Sequence, residues 1–130
     1  MSKNSIVRES ATYVYEQMHF SEAMEVDGFI FCSGIIGVGE DYKVPEDMQQ
    51  EFVNAWESVV SLLKEAGASA GDIIESTTYH VGLHETLKTF SLVRDRYVSE
   101  PWPAWTAIGV SELAIRGARV EIKVTAKLPK

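Results

Sequence analysis

The sequence predicts an α+β fold, a two-layer sandwich in which two helices pack on one face of a mixed β-sheet. Three observations carry that expectation. Two stretches repeat their apolar residues at helical spacing: Met48, Phe52, Ala55, Val59, Leu62 and Ala66, then Leu87, Phe90, Val93 and Tyr97. Around them lie short segments rich in β-branched and aromatic residues, bounded by Gly, Pro, Asp and Ser. The resulting order, β-β-β-α-β-α-β-β, supplies helices for one face of the sheet and none for the other.

Taken in order, residues 1–10 are polar and expected to be poorly anchored, and Ala11 to Tyr15 reads as an edge strand. Ala23–Val26 and Phe29–Cys32 flank Asp27-Gly28, the strongest hairpin signal in the chain. Phe29–Cys32 is apolar at every position, which predicts a central strand covered on both faces. Gly34 to Gly39 lacks the lysine and spacing of a phosphate loop and reads as a plain loop. Asp47, with Gln50 three residues on, starts the first helix, Gly67 stops it, and Trp56 beside its stripe reads as packing.

Ile73–Val81 then reads as a strand and Glu85–Tyr97 as the second helix. Pro101 and Pro103 hold the next segment extended. In the strand Trp105–Val110, Trp105, Ala107 and Gly109 share one face, and Thr106, Ile108 and Val110 the other. The last strand, Arg119–Ala126, alternates: Val120, Ile122, Val124 and Ala126 toward the helices, Arg119, Glu121 and Lys123 away from them. That second face is expected to receive Trp105 and the bulky side chains of Phe29–Cys32 as well. An apolar face of that size is rarely left wet, so the chain is expected to self-associate.

Composition narrows the function classes. The length of 130 residues predicts one domain spanning 1–130. A net charge of −7 with scattered Lys and Arg argues against a nucleic-acid partner. No apolar run reaches the ~20 residues of a membrane span, and no signal core follows the N-terminus, so a cytoplasmic protein with no membrane partner is expected. Cys32 is the single cysteine, which excludes an internal disulfide. His19, His80 and His84 do not combine with it in any metal-ligand spacing, and no metal or other cofactor is expected. Cys32 and Ser33 lack the surroundings of a nucleophile.

A set of segments in fixed order completes the reading: Phe31-Cys32-Ser33-Gly34, Lys64-Glu65-Ala66-Gly67, Asp72 to Tyr79, Pro101 to Val110, and Val120 to Ala126. Together they resemble the YjgF/RidA (reactive intermediate deaminase) family over residues Phe20 to Leu128. The resemblance implies a RidA/chorismate-mutase-like fold, a homotrimer, and small-molecule clefts between subunits. It also implies hydrolysis of reactive imines or enamines such as 2-aminoacrylate. By the same resemblance Glu121 is the acid-base carboxylate, the main chain at Ala107 orients water, and Phe20, Ser33 and Gly34 line the cleft with Trp105.

Trp105 stands where the deaminases carry the arginine that grips the substrate carboxylate. An indole has one N–H donor and no charge, so this wall favours planar or weakly charged ligands over carboxylates. Arg119, with Arg116 second, is the cation expected to compensate, unless Arg119, Glu121 and Lys123 form only a charge ladder. Two readings follow: a hydrolase or deaminase with altered substrate choice, or a non-catalytic trimer that binds a small metabolite. RNA cleavage, attributed to some members, fits the charge poorly.

Overall fold

The computed structural model describes residues 2–130; Met1 lies outside them. Its seven strands are β1 (Asn4–Ile6), β2 (Ala23–Val26), β3 (Phe29–Cys32), β4 (Ile35–Ile36), β5 (Ile73–Val81), β6 (Ala104–Val110) and β7 (Val120–Lys127). They form one sheet in the order β1-β2-β3-β7-β5-β6, with the short β4 also paired to β7. The β5–β6 pair is parallel and the other pairs are antiparallel. The helices are α1 (Thr12–Glu16), α2 (Met48–Glu65) and α3 (Leu83–Arg94). The two longer ones lie on the same face of the sheet, α2 against β7 and β4, α3 against β5 and β6. The mixed α+β architecture is therefore the one expected.

Local chemistry explains most of the boundaries. Asp27 and Gly28 both have positive φ, 53° and 82°, so β2 and β3 are joined by a two-residue turn whose twist matches the strands. The Asp47 carboxylate accepts the Gln50 N–H at 3.2 Å and caps α2. At the other end Ala68 N–H donates to the Leu63 carbonyl and Gly67 N–H to the Lys64 carbonyl, with Gly67 left-handed at φ 89°. Those paired bonds satisfy carbonyls that the last helical turn leaves free.

Two expectations at the N-terminus are corrected. Ala11 to Tyr15 does not form a strand: Thr12–Glu16 is helical, because Ala11 and Val14, three apart, are the buried positions of the turn. Residues 4–6, expected to hang free, pair with β2 as the edge strand instead. Backbone pairing with an existing edge anchors them despite their polar side chains.

The core lies between the helices and the sheet. Phe52, Ala55, Trp56, Val59, Leu62 and Leu63 of α2 and Phe90 and Val93 of α3 meet Ile30, Val120, Ile122, Val124 and Ala126. The opposite face is uncovered. Phe29 and Phe31 are 38 % and 48 % exposed there while Ile30 and Cys32 are buried, so β3 is sealed on one side only within the chain. Ile108 of β6 adds a further 40 % exposed side chain to that face. Among the described residues, no helix is long and apolar enough to cross a membrane.

Candidate functional site

The residues singled out by the sequence fall into three places. The first is the open face at the β4–β7 junction. Ile36 pairs with Glu121, and Tyr79 of β5 pairs with it from the other side. Gly34 precedes β4 and passes directly beneath the Glu121 carboxyl: a Cβ built on Gly34 would sit 2.1 Å from Glu121 Oε2. Only a residue without a side chain lets the backbone come that close. The Ser33 hydroxyl donates to the Ser21 carbonyl at 2.8 Å and its N–H to the Glu22 carbonyl at 2.8 Å. That hydroxyl is a strut, and it draws the 20–22 segment, with exposed Phe20, toward Gly34.

The electrostatics of Glu121 follow from its position. It is half-buried and makes no hydrogen bond or ion pair among the described residues. Desolvation therefore raises its carboxyl above the ordinary 4.5. A carboxyl poised to exchange a proton is the kind of group that acid-base chemistry uses. Cys32 is buried on the helix side, where desolvation, then the charge of Glu22, pushes its thiol up to about 11. A thiol held in that form is no nucleophile.

The second place is the β6 edge, and here the expected face of Trp105 is corrected. Trp105 pairs with Ser76, and Ala107 with Thr78, so all four project toward the helices with buried Val124 and Ile122. The indole packs on Phe90 of α3 with ring centroids 5.9 Å apart, and its Nε1–H donates to Thr78 Oγ1 at 2.9 Å. The hydrogen bonds continue inward: Thr78 Oγ1 to His80 Nε2 at 2.7 Å, and His80 Nδ1 to Thr86 Oγ1 at 2.9 Å. Thr86 donates onward to the Leu83 carbonyl at 3.3 Å, so it accepts from His80 Nδ1–H, and Thr78 donates to Nε2. His80 is thus a neutral core histidine, and burial lowers its pKa below 6.5. His84 is exposed. No group of three or more His, Cys, Asp or Glu is gathered as a metal site among the described residues.

A residue that the sequence reading missed stands over Trp105. The Arg94 guanidinium carbon lies 4.5 Å from the centre of the indole ring. The signal was present: Phe90 and Arg94 are four apart on α3, so they share the stripe that meets β6. Arginine at a helix end is ordinarily read as solvated, and this one is 7 % exposed.

Arg119 occupies the third place, and its expected proximity to Glu121 is corrected. Its side chain turns to the helix side and pairs with the fully buried Glu51 of α2 at 2.6 Å. It also donates to the Pro45 and Glu46 carbonyls, at 3.3 and 2.7 Å, while the N–H groups of Arg119 and Val120 donate to Glu51. Lying just before β7, Arg119 escapes the strand's alternation. It ties α2 and the 45–46 segment to the sheet. Arg116 lies with it along an open groove of about 450 Å³ between segments 42–46 and 115–119.

The arrangement defines a small α+β protein with a desolvated carboxyl on an uncovered sheet face and an aromatic–cation stack at a sheet edge. Residues 12–128 match the family described as Endoribonuclease L-PSP, and the chain belongs to that family, the YjgF/RidA family. It is 33% identical over 118 residues to the RutC family protein YjgH of Escherichia coli, covering 90% of this chain and 88% of that one. A solved structure of protein YJGH superposes with a TM-score of 0.87 at 29% identity, over 100% of this chain and 99% of that one. Rv2704 of Mycobacterium tuberculosis, a YjgF/YER057c/UK114 family member, shares the fold with a TM-score of 0.83 at 19% identity, over 98% and 100% of the two chains.

Proposed function

We propose that this chain is a homotrimer whose small-molecule clefts lie between subunits, and that it hydrolyses a reactive imine or enamine with its own substrate choice. The observation that carries the reading is Glu121, an unpartnered carboxyl with a raised pKa held over Gly34. In the reaction, water adds to the imine carbon, a proton reaches the nitrogen, and the C–N bond breaks to release ammonia and a carbonyl. Glu121 accepts the proton from water and returns it to the leaving nitrogen.

Sheet geometry supports placing the cleft between subunits. Within one chain β6 and β7 flank β5, roughly 10 Å apart. Trp105 is level with Val124, three residues from Glu121, and the two project to opposite faces. A cleft using Glu121, Phe20, Ser33 and Gly34 together with Trp105 and the main chain of Ala107 therefore takes its halves from two copies. The exposed Phe29, Phe31 and Ile108 supply apolar surface for the assembly. The second reading, a non-catalytic metabolite-binding trimer, is favoured by Trp105 itself, whose one N–H is already committed to Thr78. An RNA substrate is opposed by the net charge of −7.

The test is turnover of freshly generated imines, 2-aminoacrylate included, by wild type and Glu121→Gln. The expected result is a wild-type rate above the spontaneous one on at least one imine, and a loss of about 10²–10⁴-fold in the variant. A wild-type rate equal to the spontaneous one throughout would leave the metabolite-binding reading. Light scattering giving a stable 14.5 kDa species would remove the trimer.

A further inference from the structure

We propose that the free edge of the Arg94 guanidinium, laid over Trp105 at the β6 edge, receives the carboxylate of a small flat ligand. This deepens the cleft reading and rests on it for the location. The argument starts from a count of donors. A guanidinium carries five N–H groups and no acceptor. Those of Arg94 find no hydrogen-bond acceptor among the described residues: Nε is buried without a partner, and Nη1 has only Asp95 at 3.6 Å. Ser76, beside Trp105 in the pairing and 4 % exposed, has an unpartnered hydroxyl too. Two unsatisfied polar groups thus flank one indole, where most buried polar groups are paired.

What is already present does not complete Arg94. The indole face lies 4.5 Å from the guanidinium carbon and satisfies no N–H, since a π face attracts the charge as a whole. Asp95 is 64 % exposed by side chain and stands beyond hydrogen-bonding distance. Desolvation draws the Arg94 pKa below the ordinary arginine value. Two neighbouring N–H groups left without acceptors are what a two-point carboxylate contact requires. The Arg94 side chain keeps 9 % of its surface open, over Trp105 of β6, a strand that has no neighbour on its outer side among the described residues. The positive charge that the sequence lacks at position 105 is thereby supplied from α3, over the same indole. Asp95 is the competitor for it.

The experiment measures binding of crotonate, a flat monocarboxylate, and of crotonamide, its neutral isostere, by calorimetry on the whole assembled protein. Crotonate is expected to bind and crotonamide not to. Arg94→Lys, which keeps the charge and loses the fork, should weaken crotonate roughly tenfold. Asp95→Asn, which only removes the competitor, should tighten it severalfold. A purely structural Arg94 would move neither affinity. The proposal is overturned if crotonate and crotonamide bind alike, if Asp95→Asn changes nothing, or if inorganic phosphate displaces crotonate at lower concentration. It is equally overturned if Arg94→Lys changes the mass of the assembly, since the guanidinium would then be meeting a neighbouring copy. Crotonate binding without imine turnover would sink the hydrolase reading and spare this one; turnover without binding would do the reverse.

Discussion

Two arginines join the helices to the sheet, and they are held in opposite ways. Arg119, at the seam between α2 and β7, meets a buried carboxylate and two carbonyls. Arg94, at the seam between α3 and β6, meets the face of an indole and no acceptor. The first seam is closed: each charge has a counterpart, and the carboxylate also accepts two backbone N–H groups. The second is open, with donors that meet no acceptor among the described residues. Such an imbalance within one fold separates a residue that maintains structure from one available for binding.

The same substitution made at both seams should break the contrast if it is false. Arg119→Met leaves Glu51 buried without its cation, and a loss of about 3–5 kcal/mol in urea-unfolding stability is expected. Arg94→Met replaces an unsatisfied guanidinium by an apolar chain of similar reach. Its cost should stay within about 1 kcal/mol, because the lost stack over Trp105 is offset by relief of desolvation. Equal losses at the two positions would show that Arg94 is structural.

A smaller loss is expected from Thr78→Val, which keeps the shape of the Trp105–Thr78–His80–Thr86 chain and removes its second link. The indole N–H and His80 Nε2 both lose their partner, so roughly 1–3 kcal/mol should disappear from the same unfolding curves. An unchanged midpoint would mean that water replaces the hydroxyl and that the Trp105 seam is wetter than its burial indicates.

The smallest effects are in pH, and they differ in sign between the two faces of the sheet. His80 on the covered face has a folded pKa below its unfolded 6.5. The unfolded state then binds more protons, so stability is complete above about pH 6.5 and is lost as pH falls through the folded value. Glu121 on the open face has a folded pKa above its ordinary 4.5. Its contribution is complete below 4.5 and is lost as pH rises through the folded value. Glu121→Gln should accordingly be slightly more stable than wild type at neutral pH, and His80→Gln should flatten the acid limb. A steeper acid limb in His80→Gln would reverse the assignment of the buried imidazole.

Sequence alone determined what depends on neighbours along the chain. The Asp27-Gly28 turn, the Asp47 cap, the Gly67 stop, both apolar helical stripes and the alternation of Val120, Ile122, Val124 and Ala126 are local rules of backbone geometry and period. The ordered motifs pointed to the family from the same residues. At Ala11 to Tyr15 local preference misled: β-branched and aromatic residues suit a strand, but residues 4–6 take the β2 edge and Ala11 and Val14 are buried as one helical turn instead. Tertiary structure decided which face each side chain joined across strands. Trp105 was assigned its alternation correctly and its face wrongly, because period two fixes only relative sides and the parallel pairing with Ser76 sets the absolute one. Arg119 left its expected place, and Arg94 escaped notice, for a related reason. A long, flexible charged side chain goes wherever a counter-charge or a π face waits, and Glu51 is 68 residues from Arg119. Partnership across that distance is made by packing, and no spacing rule in the chain records it.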